Sequence, residues 1–137
     1  MLPADSPSVQ LRIAAHLTPD AAERMAGTFV ATGLVEDSGV LAELDRFAGV
    51  GASGRAPVVV NGAESFAGAA GRIAIAYDGV FRAVDGRVYS GKGAWRVTGG
   101  DHAYERLCGE GSWTATAVVG VDGLTVDAVY EGTGSLG

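Results

Sequence analysis

The chain is poor in the residues that build disulfides and metal centres. Its 137 residues include one cysteine, Cys108, and two histidines, His16 and His102. A single cysteine excludes an internal disulfide and a multi-cysteine zinc site. Neither histidine has another histidine, a cysteine or a carboxylate at a spacing typical of a metal site. We therefore expect no metal and no other cofactor, and the cysteine usage suits a reducing cytoplasm.

Basic residues and long apolar runs are also scarce. Ten Lys and Arg stand against 16 Asp and Glu, a net charge of −6 at pH 7, and the basic residues are spread along the chain. Nucleic acids and anionic membranes need clustered positive charge, so we expect neither as a partner. No run approaches the roughly 18 apolar residues of a membrane span, and no leader-like segment opens the chain. This pattern predicts a soluble cytoplasmic protein, although a secreted form without its leader would read identically.

Glycine is abundant, with 22 residues in a chain that is 47% hydrophobic, against a usual rate of about 7%. Such a composition favours many turns and bent strands over disorder. The length predicts one domain, residues 1–137, with residues 1–7 flexible.

Period-two alternation of apolar and polar residues predicts strands along most of the chain. Predicted strands cover residues 8–16, 28–36 and 40–47, the last also compatible with a helix. Four longer runs follow at residues 72–84, 87–98, 112–121 and 124–132. Asp85-Gly86 separates the first of these runs from the second, and Asp122-Gly123 separates the third from the fourth. Both dipeptides are typical of hairpin turns.

Other local signals predict turns and short helices. Asn61-Gly62, after three valines, predicts a further type I′ hairpin turn. Thr18 and Pro19 are typical of a helix start, so a short helix is expected up to Met25. The Gly99-Gly100 pair predicts a tight turn with positive φ, and Tyr104 and Leu107 have the spacing of one helical turn over an apolar core.

Residue parity sorts the last four strands into an inner and an outer face. The predicted inner set is Ile73, Ile75, Tyr77, Tyr89, Trp95, Val97, Trp113, Ala115, Ala117, Leu124, Val126, Ala128 and Tyr130. About eight antiparallel strands with no helix long enough to cover a sheet must close on themselves. The predicted fold is therefore all-β, a single closed antiparallel barrel of about eight strands with one or two short helices. An interior of that size holds side chains or one small ligand.

One segment matches a nucleotide-binding pattern letter for letter. Residues 49–54 read G-x-G-x-x-G, but a proline and three valines follow where that motif needs a helix. A flexible loop is the favoured interpretation, and such a loop at a barrel end is suited to act as a gate.

Few residues are candidates for catalysis. Glu36 and Glu64 fall on or beside predicted strands as candidates for an inward acid or base, whereas parity places Asp127 outward. His102 lies in the glycine-rich corner, where histidine tolerates a left-handed backbone, so it is either a turn residue or a third candidate. Cys108 lacks a partner that stabilises a thiolate, and we expect a buried, inert thiol.

Aromatic side chains are the candidate substrate-binding residues. Their positions in the predicted strands favour inward side chains, which either fill the core or line a cavity within it. They are Phe29, Tyr77, Tyr89, Trp95, Trp113 and Tyr130.

The segment Gly93-Ala94-Trp95-Arg96-Val97-Thr98-Gly99-Gly100, followed by Tyr104, Leu107, Gly109 and Gly111, resembles the allene oxide cyclase-like barrel group, which is also similar to dirigent proteins. The resemblance extends upstream through Gly27-Thr28-Phe29, Asp37-Ser38-Gly39, Phe66-Ala67-Gly68 and Gly71-Arg72-Ile73. These are turn and packing positions, which carry fold better than function. The group's usual corner reads Gly-Gly-Thr-Gly-x-Tyr, whereas Asp101-His102 stand here in place of Thr-Gly, and no catalytic residue carries over.

The resemblance implies a small barrel whose lumen takes a lipophilic molecule. Members of the group guide ring closure, and related bacterial barrels act on polyketides. The first hypothesis is therefore an enzyme that binds a lipophilic, polyunsaturated or polyketide-like substrate and guides its cyclisation or isomerisation. The alternatives are a non-catalytic lipophilic-ligand binding protein and a solid barrel that serves only assembly. Apolar outward residues, Val80, Val118 and Val129, predict a homodimer or small homo-oligomer.

Overall fold

A computed structural model describes residues 9–19, 25–44, 57–121 and 123–137 of the chain. One sheet of eight antiparallel strands closes on itself, because each strand pairs with its neighbour in sequence and the last pairs with the first. The strands are β1 (Val9–Pro19), β2 (Met25–Gly33), β3 (Asp37–Leu44), β4 (Val58–Gly68), β5 (Arg72–Ala83), β6 (Val88–Gly100), β7 (Cys108–Gly120) and β8 (Gly123–Ser135). The predicted all-β, eight-stranded meander is confirmed.

The predicted hairpin at Asn61-Gly62 is wrong. Both residues lie inside β4, where Asn61 pairs with Asp78 and Gly62 pairs with Tyr77. The chain turns later, between β4 and β5, where the Asp37 carboxylate accepts hydrogen bonds from the amides of Ala69 and Ala70. Tertiary hydrogen bonds, rather than the local Asn-Gly preference, therefore place this turn.

Within the described ranges, the one helical segment is a short 3₁₀ turn, His102–Tyr104. Thr18 and Pro19 end β1 instead of starting a helix, and Met25 begins β2. The segment between them lies outside the described residues, as do residues 49–54. No helix in the described part of the chain is both long enough and apolar enough to cross a membrane.

The glycine corner is built differently from the prediction. Gly99 and Gly100 end β6 without positive φ, and the left-handed residue is His102, with φ of 52°. Gly100 is needed for space, because a Cβ there would lie 2.4 Å from the Tyr104 carbonyl oxygen. The expectation that histidine adopts the left-handed backbone here is confirmed.

Burial confirms the parity assignment of the core. Every residue of the predicted inner set is buried except Val97 and Leu124, which are partly buried and pack against it. Glycines in the barrel make room for the large rings. A Cβ at Gly91 would lie 2.6 Å from the Phe81 ring, and one at Gly79 would lie 2.5 Å from the Trp113 ring. The absence of a side chain at these glycines therefore leaves room for the rings of Phe81 and Trp113.

Candidate functional site

One carboxyl group is buried inside the barrel. Glu64 is 3% exposed, and it shares the inner face of β4 with Val60 and Phe66. Its neighbour Ser65 is also buried but has the opposite parity on the strand. A buried carboxyl is costly unless it is paired or neutral, so Glu64 stands apart from the apolar core around it.

Tyr130 is the hydrogen-bond partner of Glu64. Its hydroxyl donates to Oε1 of Glu64 across the lumen, from β8 to β4, between residues 66 positions apart. Closure of the sheet brings these two strands to face one another, since β4 and β8 are not neighbours in the ring. The other carboxyl oxygen, Oε2, is buried and has no hydrogen-bond partner among the described residues.

The surroundings change the proton affinity of both groups. Burial raises the pKa of the Glu64 carboxyl from its ordinary value of 4.5 to about 7, and the hydrogen bond from Tyr130 offsets part of that rise. Burial, followed by the nearby Glu64 charge, raises the pKa of the Tyr130 hydroxyl well above its usual value. Glu64 therefore exchanges its proton near neutral pH, while Tyr130 stays a hydrogen-bond donor.

Little free space remains around this pair. Tyr77 and Trp113 meet edge to face with ring centroids 6.5 Å apart, and Trp95 and Tyr130 do so at 6.3 Å. Phe81 packs on Trp113 at 5.6 Å. A cavity of about 10 Å³ is left, enough for about one water molecule. Its lining residues are Leu17, Glu64, Tyr77, Phe81, Trp113, Ala115, Val126, Ala128 and Tyr130.

The sequence candidates for acid–base catalysis do not lie together. Only Glu64 is in the lumen, because Glu36 is exposed in the connection between β2 and β3. His102 is exposed at the corner, where its Nδ1 lies 3.1 Å from Oδ1 of Asp101. The carboxyl-terminal end of β6 leads into this corner, whereas Glu64 is inside the barrel. The inward prediction for Glu36 is therefore wrong, since the strand that was to carry it ends at Gly33.

Cys108 is exposed, so the predicted buried thiol is wrong. It is the first residue of β7, where Trp113, Ala115 and Ala117 point inward, and its even number places it on the outer face. Its Sγ lies 3.1 Å from Oγ of Ser135 on β8.

All six candidate aromatic residues are buried inside the barrel. Their role as substrate contacts stays a prediction. The Trp113 Nε1–H donates to the Asp78 carbonyl at 3.0 Å. The Trp95 Nε1–H donates to the Ser112 carbonyl at 3.0 Å. Both indoles are therefore anchored to the backbone of the barrel.

Sequence reasoning missed the pairs that the sheet brings together. His16 and Asp127 are opposite one another on β1 and β8, with Nδ1 and Oδ1 2.5 Å apart on the outer face. Tyr130 was predicted as an inward ring but not as the partner of Glu64. Glu64 was itself predicted as a candidate for an inward acid or base, and it continues the alternation of Val58 and Val60 along β4. No local signal names a partner so distant in sequence.

Among the described residues, no group of three or more histidine, cysteine, aspartate or glutamate side chains is placed to hold a metal ion. Comparison of the chain with protein-family models, with curated protein sequences and with solved structures finds no match.

Proposed function

We propose that the protein is a small enzyme that binds a lipophilic molecule in the barrel lumen and guides its cyclisation or isomerisation, with Glu64 as the proton donor and acceptor. The observation that carries this proposal is the Glu64 carboxyl, which is 3% exposed and has one unpartnered oxygen. It lines an internal cavity whose other lining residues are apolar or aromatic.

A carboxyl in this position lowers the stability of the barrel. Burying a polar atom without a hydrogen bond costs about 1–3 kcal/mol, and an apolar residue of similar size would avoid the cost. Groups with perturbed proton affinity inside a cavity are concentrated at functional sites. The cost of Glu64 therefore supports a chemical role over a purely structural one.

The pair is suited to proton transfer near neutral pH. The protonated Oε2 of Glu64 can give its proton to a substrate oxygen, and the same carboxylate can take a proton back from carbon. The hydrogen bond from Tyr130 to Oε1 stabilises the carboxylate formed between the two steps. A general acid or base works best when its pKa lies near the working pH, which burial provides here.

The rings supply the second contribution, which is orientation. Holding one folded conformer of a flexible substrate near its reacting geometry lowers the barrier by several kcal/mol, within the roughly 7–11 available to orientation. The resemblance to the allene oxide cyclase-like group supports this use of the lumen.

A substrate must displace side chains, because the cavity holds about 10 Å³. Leu17 and Phe81 line the cavity near the carboxyl-terminal ends of β1 and β5. Antiparallel alternation places those strand ends at the same end of the barrel, opposite the corner that Tyr104 and Leu107 cover. We expect entry from the Leu17 and Phe81 end.

Non-catalytic binding of a lipophilic molecule is the second candidate function. The anchored tryptophan indoles favour it, because a fixed aromatic lining binds apolar ligands without needing any proton transfer. The two functions differ in whether Glu64 changes the ligand chemically.

Deuterium exchange into 2-tetralone, a lipophilic enolisable ketone, separates these functions. With the wild-type protein in D₂O, we expect faster exchange at the carbons beside the carbonyl, measured by mass spectrometry. Glu64→Gln should bind the ketone and lose about 10²-fold or more of the rate. Glu36→Gln is the matched control, since Glu36 is exposed, and should keep the rate. Saturable binding of the ketone without faster exchange would reject the enzyme and support non-catalytic binding. A wild type that does not bind the ketone would reject both functions.

A further inference from the structure

Most of the polar groups that surround the cavity already have partners. The indole N–H groups of Trp95 and Trp113 donate to backbone carbonyls of the barrel. The Tyr130 hydroxyl donates to Oε1 of Glu64. The atom left over among the cavity-lining residues is Oε2 of Glu64, which is buried without a partner. In its described part the lumen therefore lacks a second hydrogen-bond donor, one that faces Oε2 of Glu64.

Aromatic rings make up much of the remaining cavity lining. Tyr77, Phe81, Trp113 and Tyr130 all line it together with Glu64. The face of an aromatic ring attracts a cation, and the attraction is stronger away from water. An acceptor oxygen and several rings around one small space are complementary to a positive charge on an apolar molecule.

From this arrangement we infer that the lumen selects a lipophilic primary amine in its protonated form, with the ammonium group on Oε2 of Glu64 and the apolar part among the rings. The inference depends on the lumen being a binding site, as proposed above, but not on catalysis there.

An ammonium group suits the site better than a neutral hydroxyl. A hydroxyl supplies a hydrogen bond but leaves the buried negative charge of the carboxylate uncompensated. An ammonium supplies both the donor and the opposite charge. Above a pH of about 7, where Glu64 is ionised, the carboxylate is already held away from water before the ligand binds, since Glu64 is 3% exposed. The net charge of −6 also raises the local concentration of cations over that of anions.

Two probes of matched shape test the inference. Benzylammonium and ethylbenzene differ by the exchange of an ammonium for a methyl group, and benzyl alcohol is the neutral donor of the same size. Each is titrated into the full chain at pH 8, where Glu64 is ionised because its pKa is about 7. Binding is measured by calorimetry and by tryptophan fluorescence. The same titrations are made on Glu64→Gln, and on Glu36→Gln as the control.

We expect benzylammonium to bind at least about tenfold more tightly than ethylbenzene or benzyl alcohol, since a hydrogen bond to a charged group is worth about that factor or more. The preference should vanish in Glu64→Gln and persist in Glu36→Gln. Two enlarged variants, Phe81→Ala and Leu17→Ala, are titrated in parallel, because both residues line the cavity. They should bind all three probes more tightly and keep the order.

Three results would overturn the inference. Ethylbenzene binding as well as or better than benzylammonium would reject the selection of an amine and leave lumen binding in place. A preference for benzylammonium that survives Glu64→Gln would assign it to another surface of the acidic protein. Binding of no probe to the wild type or to either enlarged variant would reject the inference and the lumen-binding part of the proposed function together.

Discussion

The hydroxyl of Tyr104 donates a 2.6 Å hydrogen bond to Oδ2 of Asp37, joining residues 67 positions apart in the chain. The same carboxylate accepts hydrogen bonds from the amides of Ser38, Ala69 and Ala70. One side chain therefore ties β3, the β4–β5 turn and the 3₁₀ turn together at one end of the barrel. These hydrogen bonds, with that of Tyr104 first, lower the pKa of the Asp37 carboxyl.

Tyr104→Phe should lower the free energy of unfolding by about 1–2 kcal/mol, because Asp37 loses its strongest donor. Asp37→Asn and the double variant complete a double-mutant cycle measured by urea unfolding, which isolates the coupling of the pair. The pKa of Asp37 is lower in the folded protein, so its contribution is present above its unfolded pKa and is lost as pH falls through the folded pKa. A coupling that stays constant into strong acid would contradict this account.

Glu64→Gln should change how stability depends on pH. The pKa of Glu64 is raised from 4.5 to about 7 on folding, so the folded state holds the extra proton across that interval. The free energy of unfolding of the wild type should therefore fall by about 3 kcal/mol, relative to that of Glu64→Gln, as pH rises from 4.5 to about 7. Urea unfolding at a series of pH values measures the difference. Glu36→Gln is the control, and a wild type that gains stability relative to Glu64→Gln over that range would contradict the prediction.

Tyr130→Phe should raise the pKa of Glu64 further. The hydrogen bond from Tyr130 favours the ionised carboxyl, and its loss leaves burial unopposed. The infrared band of the protonated carboxyl, assigned by its absence in Glu64→Gln, reports the titration directly. In a Tyr130→Phe variant that folds normally, a lower pKa would mean that the two groups do not act on one another as described.

Cys108 should react rapidly with a thiol reagent in the native protein, because its side chain is exposed on the outer face of β7. Cys108→Ser should leave binding in the lumen unchanged. The rate is followed by the absorbance of released thionitrobenzoate, with unfolded protein as the reference for full exposure. If the thiol of the native protein reacts at least about a hundredfold more slowly than that of the unfolded protein, Cys108 is buried and this prediction is wrong.

Self-association is expected from the apolar outer surface. Val118 is 40% exposed, and Val59 and Val30 are more exposed still, at 76% and 53%. Val80 and Val129, which the sequence also placed outward, are half-buried. We propose a homodimer or small homo-oligomer, and sedimentation equilibrium at high concentration measures it. A strict monomer would reject the proposal.

The sequence by itself determined the barrel and its inner surface. Alternation at period two is a local property, and it assigned Tyr77, Trp113 and Tyr130 to the core because successive side chains of a strand point to opposite faces. Turn chemistry placed the hairpin at Asp85-Gly86 correctly, and there the Asp85 carboxylate accepts local hydrogen bonds from the amides of Arg87 and Val88. It failed at Asn61-Gly62, where pairing with β5 continues through the local turn signal.

Only the tertiary structure decided which residues lie together in the candidate site. Glu64 and Tyr130 are 66 positions apart, on strands that meet only across the closed lumen. Glu36 and Glu64 look alike in sequence, yet a strand that ends at Gly33 leaves the first exposed, while β4 carries the second inward. The raised pKa of Glu64 likewise depends on burial by side chains from several strands. Such properties arise from three-dimensional contact, so local sequence patterns do not encode them.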